Sequence, residues 1–248
     1  MRMKIVILWA GKGRRISKEY GGIHKALIPL NGIKLMEYLL HNIRMAGGQE
    51  LVPVLGYQAD VLLKEIRKFG FFQSVEPVYN KEFDKTNNLY SLLQASEVLE
   101  NETFVVVNGD MIFDFRILKK IMGMPGNAIA VDTCDYGYQL DSPRILIEEN
   151  MIRDIGRHRT IEESQGYAIG IYKFSKEFSK DYFRMGEKIV ENHLDAGYHV
   201  PLEGILNQVR IVPCDTEGYL WMDIDEKQDV SKGERMILDI KENRRVHK

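Results

Sequence analysis

Cysteine is scarce in this chain. Cys134 and Cys214 are its two thiols, they stand far apart, and they show no pairing pattern. That excludes a disulfide-stapled scaffold and fits a reducing compartment, with buried thiols as the default. An excess of one charge is missing too: 34 Lys and Arg face 36 Asp and Glu, for a net charge of −2. A generic polyanion-binding surface is therefore not implied, and nothing calls for nucleic acid. No apolar run has the length of a membrane span or the layout of a secretory leader. Met1 to Trp9 runs straight into glycines, so a cytoplasmic protein without membrane insertion is expected. Zinc-spaced Cys/His groups, Gly-x-Ser-x-Gly and His-Glu-x-x-His are all absent, and the six histidines are scattered. Linkers, repeats and low-complexity segments are lacking as well.

What remains is an ordinary globular composition, 44% hydrophobic and 28% charged, over 248 residues. That length fits one large domain with a sizeable core. The order of elements alternates at first. The apolar run from Ile5 to Trp9 reads as a buried strand. Lys34 to Ala46 carries Leu35, Leu39, Ile43 and Ala46 at helical spacing, closed by Gly47-Gly48. A strand at 51–55 and a helix at 59–69 follow, the helix facing inward with Val61, Leu62, Ile66 and Phe69. Then come a strand at 75–79, a helix at 88–99 and an apolar strand at 103–107. This rhythm predicts right-handed crossovers and a mostly parallel α/β sheet. Later segments change character. Short strands at 129–133, 144–147, 151–155 and 168–174 precede helices at 176–184 and 187–194, strands at 209–213 and 219–224, and a closing helix at 226–240. Glu149-Asn150 marks a tight turn. One domain is expected, with a parallel α/β half over residues 1–125 and a mixed β half over 126–248.

The stretch from Ile5 to Gly32 is the chemical centre of the sequence. The first strand feeds Gly11, Gly13, Arg14 and Arg15, and after a polar gap come His24-Lys25, an extended 26–30 and the Asn31-Gly32 turn. Glycines let backbone N–H groups face an anion, and Arg15 and Lys25 supply positive charge beside it. Such a loop at the carboxyl end of a first strand is where open α/β sheets hold phosphate-bearing ligands. The common ATPase phosphate loop and the dinucleotide fingerprint both fail on spacing, the latter because Ile16 stands where a third glycine belongs. An ordinary glycine turn with solvated arginines fits the two glycines alone about as well.

Carboxylates give the second signal. Asp110 ends an apolar strand within Val107-Asn108-Gly109-Asp110, and Asp223-Ile224-Asp225 places two more acids on one side of an extended segment. Mg²⁺ favours one or two carboxylates plus phosphate oxygens and water. A turn or helix cap also explains Asp110, and Asp225 stands where the closing helix should have its N-cap.

These motifs resemble those of the nucleotidyltransferases that act on sugar phosphates and small phosphorylated alcohols. Leu8-Trp9-Ala10-Gly11-Lys12-Gly13-Arg14-Arg15, His24-Lys25-Ala26-Leu27 and Asn31-Gly32 are similar to that family's opening signature. Trp9 stands where the family has a small residue, and His24 replaces a proline. Trp221-Met222-Asp223-Ile224-Asp225, running on to Asp229-Val230, resembles the second metal segment of the cytidylyltransferase branch, which handles phosphocholine, inositol 1-phosphate and small phosphonates. Sugar-nucleotide members usually show Asp-Thr-Gly there. Asn87-Asn88-Leu89-Tyr90-Ser91-Leu92 is similar to a helix-opening stretch of the phosphocholine enzymes.

The resemblance implies a Rossmann-like three-layer sandwich with a mixed, mostly parallel sheet, the nucleotide-diphospho-sugar transferase or GT-A-like fold. It implies a Mg²⁺-dependent cytidylyltransferase joining CTP to a phosphocholine-like acceptor with release of pyrophosphate, and it allows a homodimer. Residues 1–125 would be the nucleotide-binding half and 126–248 the acceptor-binding half. Lys25, Arg15 and Asp110 would be catalytic. Leu8, Ala10, Gly11, Gly13, Arg14, Arg15, Lys25, Asn88, Ser91 and Gly109 would hold the nucleotide, and Asp110, Asp223 and Asp225 the metal. Arg144 and Arg157 stand where the family often has lysines for the acceptor phosphate. Tyr136, Tyr138, Tyr167, Tyr219 and Trp221 are candidate aromatic walls, with Tyr167 and Trp221 assigned to the acceptor. Three alternatives remain open: a sugar-1-phosphate nucleotidyltransferase using UTP, GTP or dTTP, a glycosyltransferase of the same architecture, and a non-catalytic nucleotide-binding regulator.

Overall fold

The computed structural model describes residues 3–134 and 142–242. The first half runs β1 (Lys4–Trp9), α1 (Arg14–Glu19), a single 3-10 turn (Lys25–Leu27), β2 (Pro29–Leu30), β3 (Ile33–Lys34), α2 (Leu35–Ala46) and β4 (Glu50–Leu55). It continues with α3 (Ala59–Ile66), β5 (Ser74–Val75), β6 (Val78–Tyr79), α4 (Asn88–Leu93), α5 (Ser96–Leu99) and β7 (Phe104–Asn108). The second half comprises β8 (Met111–Phe113), α6 (Phe115–Gly123), β9 (Asn127–Asp132), β10 (Arg144–Glu148), β11 (Met151–Gly156) and β12 (Gly166–Phe174). It closes with α7 (Lys176–Val190), α8 (Val200–Glu203), β13 (Ile211–Asp215), β14 (Trp221–Asp223) and α9 (Lys227–Lys241).

One mixed sheet organises these elements, in the order β11-β10-β12-β7-β1-β4-β5, with β6 also on β4 and β9-β13 branching from β12. β1 is central and parallel to both β7 and β4, as the alternating first half predicts. β12 runs antiparallel to β7, β9 and β10, so the second half inverts the chain direction. The two-residue period of β1 divides the core into layers. Ile5, Ile7 and Trp9 pack with α2, α3 and α6, whereas Val6, Leu8 and Ala10 face the α4–α7 side. The result is the expected three-layer α/β sandwich.

Several local expectations are met. Asn31 and Gly32 both have positive φ, as do Glu149 and Asn150, which makes both pairs the left-handed turns that tight hairpins favour. Other elements differ. The polar gap after Gly13 is the short helix α1, and Ala26–Leu27 belongs to a 3-10 turn rather than an extended run. Val61 points outward at 46% exposure, its inward place on α3 taken by Leu62, Leu63 and Ile66. Helix α6, capped by the Asp114 carboxylate accepting from the Arg116 N–H, has no counterpart in the periodicity reading. The two helices expected at 176–194 are one, because Gly186 lets α7 approach α4: a methyl there would stand 2.8 Å from Leu93 Cδ2. Among the described residues no helix is long and apolar enough to cross a membrane.

Candidate active site

The carboxyl ends of β1, β6 and β7 open on a cleft of about 210 Å³. Leu8, Ala10 and Gly11 form one wall, Phe83, Thr86, Asn87, Asn88 and Ser91 another, and Asn108, Gly109 and Asp110 the floor. Most of the residues assigned to the nucleotide from sequence are therefore neighbours. Asn87 caps α4, its side chain accepting from the Asn88 N–H, while Asn88 Oδ1 accepts from the Tyr198 N–H at 2.9 Å. Ser91 is fixed by the buried Asn80, whose amide donates to its hydroxyl at 3.0 Å.

Trp9 is not part of that wall. It lies on the opposite face of β1 at 1% exposure, and its indole N–H donates to the Gly109 carbonyl at 2.7 Å. The contact needs a glycine: a methyl on Gly109 would sit 2.2 Å from Trp9 Cδ1 and 2.4 Å from the Leu8 oxygen. Trp9 thus clamps the floor from beneath and leaves Leu8 and Ala10 to face the cleft.

Lys25 enters at the cleft's edge, and His24 holds it there. The Ala26 N–H donates to His24 Nδ1 at 3.0 Å, so Nε2 carries the proton and donates to the Trp9 carbonyl, also at 3.0 Å. Burial pushes the imidazole down to about 4, which keeps this neutral form. The Lys25 ammonium reaches Asp110 Oδ2 at 2.9 Å and Asp225 Oδ1 at 2.8 Å. Burial alone would lower its pKa; the two carboxylates reverse that and raise it. Lys25 stays charged.

The third aspartate arrives through pairing outside the main sheet. β14 runs antiparallel to β8, Asp223 opposite Met111, and the Ile224 N–H donates to the Asp110 carbonyl at 2.9 Å. Asp223 Oδ1 is buried without a hydrogen-bond partner. Burial, then the charges of Asp110 and Asp225, push its carboxyl well up. Asp225 is not the cap of α9. Glu226 takes that place in a reciprocal box with Asp229, which leaves the Asp225 carboxylate free for Lys25.

The three aspartates do not close into one metal-ligand set. Among the described residues no group of three or more His, Cys, Asp or Glu is arranged to hold a metal ion. The physical reason is Lys25, whose ammonium sits between Asp110 and Asp225 and draws the latter to itself. Asp223 Oδ1, buried without a hydrogen-bond partner near Asp110, is the oxygen that a divalent cation would satisfy there.

The arginines diverge. Arg15 lies 3.8 Å from Asp225 and 3.6 Å from Glu226, largely exposed, while Arg14 donates to the Asp84 carbonyl at 3.1 Å. Among the acceptor candidates, Arg144 donates through Nη1 to the Arg159 carbonyl and so braces the loop after β11. Arg157 is exposed at the end of that strand. Tyr167 is packed in the sheet at 8% exposure, and the Trp221 N–H is given to Asp132 at 2.6 Å. Tyr219 already carries the Arg116 guanidinium 4.3 Å over its ring. Tyr136 and Tyr138 lie outside the described residues. Asn108, Phe83, Tyr198 and His199 were not singled out in sequence. Only Asn108, next to Gly109-Asp110, carried a usable signal there.

Residues 5–169 match the model of the MobA-like NTP transferase domain. The chain belongs to that family. It is 24% identical over 234 residues to a bifunctional IPC transferase and DIPP synthase of Aquifex aeolicus, covering 94% of this chain and 51% of the relative. It is 23% identical over 203 residues to the CTP:phosphoglutamine cytidylyltransferase of Campylobacter jejuni, covering 75% and 79%. The chain spans about half the length of the first of these and of similar bifunctional relatives. Among solved structures, the inositol-1-phosphate CTP transferase of T. maritima matches with a TM-score of 0.80 at 22% identity over 96% of both chains. The CTP:phosphocholine cytidylyltransferase of Streptococcus pneumoniae matches with a TM-score of 0.76 at 20% identity over 96% of this chain and 100% of that one. Within this NTP transferase fold, Trp9 and His24 change how the site is braced and not what lines it.

Proposed function

We propose that this chain is a cytidylyltransferase: a small phosphate or phosphonate acceptor attacks the α-phosphorus of CTP, and pyrophosphate leaves. The observation that carries the reading is the Lys25 ammonium held between Asp110 and Asp225 at the mouth of a glycine-floored cleft. Support for cytosine comes from the CTP-named relatives and from Asp223-Ile224-Asp225 standing in place of Asp-Thr-Gly.

In-line phosphoryl chemistry asks for positioning and charge neutralisation more than for covalent catalysis. Mg²⁺ held by Asp110 and Asp223 or Asp225 would supply positive charge at the phosphate oxygens. Lys25 stabilises charge at the α-phosphate, having exchanged a carboxylate for a phosphate oxygen. Arg15, on its exposed loop, neutralises the departing pyrophosphate. Gly11 and Gly13 present backbone N–H groups, and Gly13 holds a left-handed φ of +59 in which a methyl would press on Lys25 Cβ at 3.1 Å. An acceptor phosphate dianion is already a nucleophile at neutral pH, so no general base is needed.

A screen of four NTPs against phosphocholine, 2-aminoethylphosphonate, inositol 1-phosphate and glucose 1-phosphate, read as pyrophosphate release with Mg²⁺, tests this. CTP should give turnover, and Lys25→Ala or Asp110→Asn should remove at least about 99% of it, equivalent to some 2.7 kcal/mol of transition-state stabilisation. Near wild-type turnover in either variant would refute the assignment.

A further inference from the structure

Asp110 and Asp223 are brought together by a fragment that lies outside the ten-stranded sheet. β8 and β14 form a two-stranded ribbon of their own, with Trp221 opposite Phe113 and Asp223 opposite Met111. β8 starts on the residue after Asp110, and the Ile224 N–H returns to the Asp110 carbonyl at 2.9 Å. Both carboxylates therefore hang from one ribbon, and its lie on the body of the protein sets where each points. Two strands of three residues are too few to hold a fixed position by their own pairing. The ribbon needs anchors.

β8 has its own, for the Phe113 carbonyl accepts from the Tyr38 hydroxyl of α2 at 3.0 Å. On β14, among the described residues, one side chain is hydrogen-bonded: the Trp221 indole N–H donates to Asp132 Oδ2 at 2.6 Å. Asp132 is the last residue of β9, 6% exposed, and sits in the ten-stranded sheet opposite Tyr167 of β12. Gly166 pins its backbone, since a methyl there would stand 2.4 Å from the Asp132 carbonyl oxygen. The second carboxylate oxygen accepts from the Cys134 N–H at 2.8 Å. Two N–H donors thus face one buried side chain, and a carboxylate offers each an oxygen where an amide would offer only one. Among the described residues no cation pairs with Asp132. Burial raises its pKa, and the two N–H bonds oppose that shift. What this buried acid holds is the residue that shares a side of β14 with Asp223, two positions away.

We propose that Asp132 is a positioning residue: through the Trp221 indole it fixes β14 on the sheet, and so sets Asp223 beside Asp110 where the pair can hold a divalent cation. Trp221 is then a strut between β9 and the acidic segment. The proposal rests on the nucleotidyl-transfer reading for its choice of Asp110 and Asp223 as the carboxylates that meet the cation.

Titration of the full chain with Mn²⁺ alone, read by electron paramagnetic resonance of the free ion, tests it without turnover. Wild type should show a saturable site. Trp221→Phe, which keeps a ring and removes the N–H, should weaken that site about tenfold. Asp132→Asn, which turns an NH₂ group toward one of the two donors, should do the same. The double variant should lose no more than the worse single one, because both break one link. In the metal-free protein, hydrogen exchange at residues 111–113 and 220–224 should quicken in both single variants. Ser179→Ala, which deprives the Asn101 N–H of its partner on α7 in the opposite layer, should lower Tm and leave Mn²⁺ affinity unchanged. No saturable Mn²⁺ site in wild type, affinity within twofold of wild type in either single variant, unchanged exchange, or losses that add in the double variant would overturn the proposal. Failure of the nucleotidyl-transfer reading would look different: no pyrophosphate from any NTP and acceptor, with the Mn²⁺ pattern intact.

Discussion

Replacing Trp9 by the small residue that the family pattern carries separates bracing from lining. The indole is the largest fully buried side chain beneath the cleft, 1% exposed among Ile7, Leu55 and Val107. Removing such a ring costs about 3–5 kcal/mol in a core that cannot collapse to fill the space. The Gly109 carbonyl, buried and paired with the indole N–H at 2.7 Å, would also lose its partner, at about 1–3 kcal/mol. Trp9→Ala should therefore lower unfolding stability by about 4 kcal/mol or more. Trp9→Phe keeps most of the volume and loses the hydrogen bond, so about 1–2 kcal/mol is expected. Urea unfolding followed by circular dichroism, with the m-value checked for constancy, measures both. For Trp9→Phe the KM for nucleotide should stay within about twofold, because Leu8 and Ala10 face the cleft while Trp9 faces away. A loss below about 1.5 kcal/mol in Trp9→Ala, or a tenfold rise in KM for Trp9→Phe at unchanged stability, would mean that Trp9 is a wall of the pocket after all.

His24 and His199 both have imidazoles depressed to about 4, His24 by burial first and His199 by burial and then Arg157. Their unfolded value is near 6.5, so the neutral form favours the fold: stability is complete above that pH and is lost as pH falls toward 4, at up to about 1.4 kcal/mol per unit for each group. His199→Gln should flatten the urea-unfolding stability profile between pH 6.5 and 4.5, and parallel profiles would contradict the burial argument. Gly170, with φ +83 in β12, would place a methyl 2.5 Å from the Asn108 amide. Gly170→Ala should cost about 1–2 kcal/mol from the backbone alone and reduce turnover by displacing Asn108, read as a lower Tm and a lower kcat.

The architecture was legible where periodicity was strong. Leu35, Leu39, Ile43 and Ala46 mark α2, and all are buried. The pairing of the acidic segment with β8 was not, because three-residue strands such as β14 have too little pattern to register. Asp110 and Lys25 could be nominated from residue type beside a glycine loop, but their ion pair joins positions 85 residues apart. Asp225 illustrates the limit. Sequence left it between cap and ligand, and only the neighbouring box of Glu226 and Asp229 assigns the cap elsewhere. Periodicity sets Val61 inside with Leu62 and Ile66, but the buried stripe of α3 runs through Leu62, Leu63 and Ile66, and a period read over so short a helix does not separate the two sets. Tyr198 and His199 gave no signal, lying in a loop whose meaning comes entirely from Asn88 and Asn108 across the cleft.

Two cations of this site are matched before any ligand arrives, Lys25 by Asp110 and Asp225, Arg15 by Asp225 and Glu226. Charges cancelled over such short spans project little beyond the Debye length of about 8 Å at physiological salt. These two cations accordingly do little to draw a triphosphate in from afar. Discrimination is deferred to the moment of touching, when a ligand must offer phosphate oxygens placed well enough to take over two carboxylates' partners at once.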